Sequence, residues 1–281
     1  MSTPGFEPRE TVGMRLRRRR RRRRRGERGR GLYLLPQLFT TANLFFGFFS
    51  LIQSTQGHYD RAALGIVLAA LCDALDGRIA RFARSTSRFG SEYDSLADVV
   101  SFGVAPAFLA YMAGDLSQLQ RTGWILAFLF TACAALRLAR FNVQPSPYKG
   151  RFEGLPSPAA AGMVASTQWF TSFLAIQGYD VAAPPLAVGA GLAALGLAMV
   201  SPIPYHSFKE LDVRHGFRTI VLMIVGLAVI VQEPALWLFV LGAAYVASGP
   251  VEWAWRALSG RRLAAAPPPV ASGDPSQETR A

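Results

Sequence analysis

From about residue 34 to about residue 256 the chain is a succession of apolar runs, each near the length a helix needs to cross a hydrocarbon core. Hydrophobic residues make up 51% of its 281 residues, and they gather in these runs rather than in amphipathic stripes. Eight segments can be drawn, at about 34–56, 60–81, 91–113, 122–141, 155–177, 182–204, 216–232 and 235–256. In lipid a backbone must satisfy its own polar groups, which only helices and closed barrels do. Runs of this length select the helix. The expected fold class is all-α, a polytopic membrane helix bundle with about eight transmembrane helices.

An even number of crossings puts both termini on one side, and short-loop Lys and Arg mark that side as cytoplasmic. The loops on the terminal side carry Arg84 and Arg88, Lys149 and Arg151, Lys209, Arg214 and Arg218, then Arg256, Arg261 and Arg262. The opposite loops offer Arg61 and Arg121. The formal charge of +12 is concentrated at the start, where residues 1–32 hold 13 arginines against three glutamates. Arg17 to Arg25 form an unbroken block, and such a block repels itself into disorder. Placed directly before a membrane span, it reads as a topology anchor attracted to anionic lipid, rather than as a nucleic-acid arm. The first run is too long for a cleaved signal peptide. Residues 1–32 are thus expected to be a disordered cytoplasmic tail, 33–258 the transmembrane domain, and 259–281, with Pro267, Pro268 and Pro269, a disordered C-terminal tail. Cys72 and Cys133 lie inside apolar runs and read as packing residues. His58, His206 and His215 are too scattered for a His-based site and read as surface residues.

Against this apolar background four carboxylates stand out: Asp73, Asp76, Asp94 and Asp98. Each costs roughly 2.5–3.5 kcal/mol at bilayer depth even on the lenient insertion scale, so a functional site is the default reading. Spacings of three and four residues put each pair on one helix face. An all-oxygen ligand set suits Mg2+ or Mn2+, ions that bind a few carboxylates together with substrate phosphates. The plainer alternative is an ion network with Arg78, Arg81, Arg84 and Arg88. Gly77, Ala80 and Gly90 weigh against it, because small residues let helices approach closely and leave room for a phosphate.

The string Asp73-x2-Asp76-Gly77-x2-Ala80-Arg81-x8-Gly90-x3-Asp94-x3-Asp98 resembles, without departure at any fixed position, the signature of the CDP-alcohol phosphatidyltransferase family. The resemblance implies transfer of a phosphatidyl group from a CDP-linked lipid to the hydroxyl of a small alcohol, with release of CMP. It further implies that Asp73, Asp76 and Asp94 hold metal, and that Asp98 takes the acceptor's proton and touches a second metal. Gly77, Ala80, Arg81 and Gly90 would line the CDP-lipid groove. Homodimers are usual in that family.

The acceptor is read from a second set of residues. Leu136-Arg137-Leu-Ala-Arg140-Phe141-Asn142, and Phe152-Glu153-Gly154-Leu155-Pro156-Ser157-Pro158-Ala159-Ala160, look like the serine-using subgroup of the family. Pro36 with Thr40-Thr41-Ala42-Asn43, and Met199-Val200-Ser201 with Ser207-Phe208-Lys209, are similar to it as well, so the likeness runs from about 34 to 213. CDP-diacylglycerol and L-serine are the substrates this implies, in a bacterial inner membrane with the site facing the cytoplasm. Serine's carboxylate wants a guanidinium and its ammonium an acid; Arg137, Arg140, Lys149 and Arg151 offer the first and Glu153 the second. Arg140, Lys149 and Arg151 flank a loop where positive charge is expected anyway, whereas Arg137 sits about a turn inside a span, where a charge is costly. Glycerol 3-phosphate, inositol phosphate and choline stay open as acceptors. From another class, a membrane cation transporter would also place acids within helices, but it should supply polar groups on the outer half of the bundle too.

Overall fold

The computed structural model describes residues 37–83, 88–143, 151–179, 181, 183–206, 226, 228 and 231–259. The tails expected at 1–32 and 259–281 lie, but for Ser259, outside these residues, as do most of the seventh run and Lys149.

Helix α1 covers residues 37–55, and Gly57, at φ 75°, turns the chain into α2, Tyr59–Ala83. A left-handed glycine just past a helix end satisfies the last carbonyls without a Cβ penalty, and here Gly57 N–H donates to Ser54 O at 3.2 Å. Then α3, Arg88–Asp98, passes through a π-helical turn, Val99–Val104, into α4, Ala105–Ala113. Pro106 in the first turn of α4 has no N–H to give, and Ala105 N–H reaches back to Val100 O, five residues away, as the wider turn requires. A short 3-10 turn leads to α5, Arg121–Val143; α6 is Ser157–Ile176, α7 Pro185–Val200 and α8 Pro234–Ser259.

Seven of the eight expected runs therefore coincide with helix. Among the described residues three stretches are both long and apolar enough to cross a membrane: Phe89–Ala113, Arg121–Val143 and Pro234–Arg256. The sixth run is shorter than expected. Its helix stops at Val200, because Pro202 and Pro204 cannot continue it, and the chain goes on extended.

The helical bundle also contains one short ladder. Arg151–Glu153 (β1) pairs antiparallel with Pro204–His206 (β2), Phe152 opposite Tyr205. Three-residue strands leave no alternating pattern, and they form because the chain leaving α5 meets the chain leaving α7.

Two packed clusters hold the bundle. One joins α4, α5, α6 and α7 through Ala107, Phe130, Cys133, Ala160, Leu192 and Met199, with Leu155 and with Tyr205 of β2; the other joins α2, the π turn, α4 and α6 through Ala62, Ile66, Phe102, Leu109 and Ala161. Many contact residues are small, as helix pairs in lipid favour. Outside, Phe45, Phe48, Phe128, Leu136, Leu197, Trp253 and Trp255 are exposed. Apolar exteriors this extensive belong against a bilayer.

Candidate active site

The α2, α3 and α1 helices bring the carboxylates together. Asp73 and Asp76 lie one turn apart on α2, and Asp94 comes from α3. The three offer one oxygen each, all within 4.8 Å of one another, with Asp76 buried and the others half-buried. One Asp94 oxygen is buried without a hydrogen-bond partner. Three converging carboxylates with an unsatisfied oxygen make a donor set that fits a hard divalent cation.

Asp98, one turn further along α3, stands outside that trio. It is buried, at 8% exposure, and its Oδ1 accepts from Asn43 Nδ2 at 2.9 Å. Thr40, one turn before Asn43 on α1, donates from Oγ1 to Asp76 Oδ2 at 3.0 Å. A single helix face thus supplies one neutral donor to the carboxylate trio and one to Asp98. Ser101 of the π turn donates to Asn43 O at 2.9 Å. A Cβ on Gly47 would lie 2.3 Å from Ser101 Oγ, so the glycine is what allows this approach.

Carboxylate spacing alone does not point to Thr40 and Asn43 as site residues. A signal is nonetheless present: Thr40, Asn43, Gly47, Ser50 and Ser54 recur at helical spacing within an apolar run, and all five are buried. A polar stripe turned inward in a membrane helix marks a site or a close helix contact.

A Cβ on Gly77 would meet nothing within 4 Å, so the space beside the trio is open there. Gly90 lies in the first turn of α3, half-buried. Ala80 and Arg81 continue α2, and their side chains lie outside the described set.

The expected acceptor residues form a second cluster where α5 meets β1 and α6. Arg137 Nη1 donates to Ser157 Oγ at 3.1 Å, its Nε is buried without a hydrogen-bond partner, and Asp98 is within electrostatic reach. Arg140 is ion-paired with Glu153. These two residues, expected to bind opposite ends of one zwitterion, hold each other in the structure. Asn142 Nδ2 donates to Ser95 Oγ at 2.8 Å, tying the end of α5 to the helix that carries Asp94 and Asp98. Arg151 lies in β1, its side chain not described, and Lys149 is outside the described residues. Ser157 enters the site from a proline-flanked helix start that reads from sequence as a rigid entry.

A polytopic helical bundle with a carboxylate trio, a separate buried aspartate and a guanidinium cluster nearby defines a membrane enzyme that handles polyanionic substrates with divalent metal. Comparison with known proteins fits that class. The family model described as CDP-alcohol phosphatidyltransferase matches residues 33–248, and the chain belongs to that family. A protein of Helicobacter pylori named CDP-diacylglycerol–serine O-phosphatidyltransferase is 33% identical over 240 residues, covering 79% of this chain and 92% of the relative. One of the same name from Mycobacterium bovis is 31% identical over 250 residues, 80% of each chain. An archaetidylserine synthase of Methanothermobacter thermautotrophicus is 40% identical over 137 residues, 47% of this chain and 56% of the relative.

Proposed function

We propose that this protein transfers the phosphatidyl group of CDP-diacylglycerol to the hydroxyl of L-serine, giving phosphatidylserine and CMP. The observation that carries the reading is the arrangement of the four aspartates: three converge, and the fourth lies outside that trio with its own donor, within reach of the half-buried Arg137 guanidinium. Asp73, Asp76 and Asp94 would hold Mg2+ or Mn2+, and such an ion supplies charge neutralisation for the pyrophosphate and the departing CMP.

The chain's own residues do the rest. Thr40 fixes the Asp76 carboxylate, and Asn43 turns Asp98 so that one oxygen is engaged and the other is left to accept the serine hydroxyl proton. The serine oxygen then forms its bond to the lipid phosphorus as the bond to CMP breaks, and CMP leaves with that electron pair. No covalent enzyme intermediate is invoked. Gly77, with Ala80, Arg81 and Gly90, would line the nucleotide groove, and Arg137 would take the serine carboxylate. Arg140, Lys149, Arg151 and Glu153 border the same entrance.

Both termini and the site would face the cytoplasm from a bacterial inner membrane crossed by about eight helices, with two copies forming a homodimer. The account is tested by following CMP release with each acceptor in turn. Serine should support it, whereas glycerol 3-phosphate, inositol phosphate and choline should not; release with one of these alone keeps the family and overturns the acceptor. Arg137→Ala should raise the serine KM by roughly tenfold or more, the equivalent of one charge-assisted hydrogen bond. Unchanged serine kinetics in that variant would remove Arg137 from the acceptor site.

A further inference from the structure

Residues 151–155, just before α6, are tied down by backbone pairing. Pairing of β1 with β2 fixes Phe152 opposite Tyr205. Next to it, Gly154 N–H donates to Ile203 O at 2.9 Å and Leu155 N–H to Ala198 O at 3.0 Å. Gly154 has φ 79°, and a Cβ there would sit 2.1 Å from Met199 O, so both conformation and space demand glycine.

Tyr205 is the key of this clasp. It is fully buried, its hydroxyl donates to Val246 O of α8 at 3.2 Å, and its ring lies 5.7 Å from that of Tyr245. The ring fits a notch in α8 that exists only because residue 249 is glycine: a Cβ there would lie 2.4 Å from Tyr205 Cζ. From Tyr205 the connection runs through β2 to β1, which ends on Glu153, the partner of Arg140. Four residues on stands Ser157, the partner of Arg137.

We propose that the β1–β2 clasp, keyed by Tyr205 in the notch at Gly249, is a positioning device for the acceptor subsite. It holds Ser157 and Glu153 where they fix Arg137 and Arg140, so that the Arg137 guanidinium, its Nε buried without a hydrogen-bond partner, is set for a carboxylate-bearing acceptor. Tyr205 and Gly249 act through Arg137 and touch no substrate. The proposal rests on the serine reading above.

Gly249→Ala fills the notch; because Pro250 follows and a Cβ before proline disfavours the helix, Tyr205→Phe, which leaves α8 unchanged, is measured beside it. In purified full-length enzyme the serine KM should rise roughly tenfold while kcat and the CDP-diacylglycerol KM stay within about twofold, as expected when one charge-assisted contact is lost. Any slow transfer to ethanolamine, which lacks the carboxylate, should be unchanged. Tyr205→Phe keeps the ring and removes only the bond to Val246, so it serves if Gly249→Ala fails to accumulate; its serine KM should move the same way by a few-fold. An unchanged serine KM in the variant that folds, or a parallel loss of affinity for both substrates, overturns the clasp proposal alone. Wild-type enzyme that does not use serine overturns the functional reading and the clasp with it.

Discussion

At the scale of single residues, the proposed chemistry rests on Asp98 and Asn43. An aspartate can accept the acceptor's proton only if it is held against the hydroxyl, and the 2.9 Å bond from Asn43 supplies that hold. Replacing Asp98 by Asn keeps the shape and removes the base. Turnover should fall by roughly 10^2–10^4-fold, the range of general-base contributions, while CDP-diacylglycerol still binds; joint loss of binding and turnover would group Asp98 with the carboxylate trio instead. Gly77 makes the opposite kind of statement. Nothing stands within 4 Å of an added Cβ, so Gly77→Val should leave thermal stability in detergent almost unchanged and weaken CDP-diacylglycerol binding, measured as its KM. A stability loss without a substrate effect would make Gly77 a packing residue.

Among the elements, α1 and the π turn set the geometry of the site. The polar stripe of α1 delivers two donors one turn apart, and the π turn brings Ser101 under Asn43. Gly47→Ala would drive a methyl to 2.3 Å from Ser101 Oγ, and overpacking of this kind costs about 1–3 kcal/mol. A lowered melting temperature in detergent, with reduced kcat from a displaced Asn43, is the expected result; an unchanged melting temperature would show that α1 and the π turn are free to part. The carboxylates and helices were legible in the sequence because isolated charges and long apolar runs are strong signals in lipid. Thr40 and Asn43 were harder to read, since neutral polar residues are common in membrane helices and only their burial on one face reveals a role. The β1–β2 clasp left no periodic trace, because its strands are three residues long and their pairing depends on where α5 and α7 end. Arg140 and Glu153 read as two separate substrate contacts, yet they form an ion pair; sequence gives residue types at an entrance, not which of them satisfy one another.

For the whole molecule, Asp73, Asp76, Asp94 and Asp98 gather between the end of α2 and α3, with Arg137 of α5 in electrostatic reach of Asp98, and aromatic and aliphatic side chains face outward along α1, α5, α7 and α8. A lipid-linked nucleotide can then keep its tails in the bilayer while its pyrophosphate reaches the trio. The most direct measurement is incorporation of labelled serine into chloroform-soluble lipid by membranes containing this protein, with and without CDP-diacylglycerol, before and after chelation, and with Asp98→Asn alongside. Label that requires CDP-diacylglycerol, vanishes with chelator, returns with Mn2+ or Mg2+ and is lost in the variant is the predicted result. Absence of lipid label together with absence of CMP release from any alcohol would contradict the enzyme reading outright.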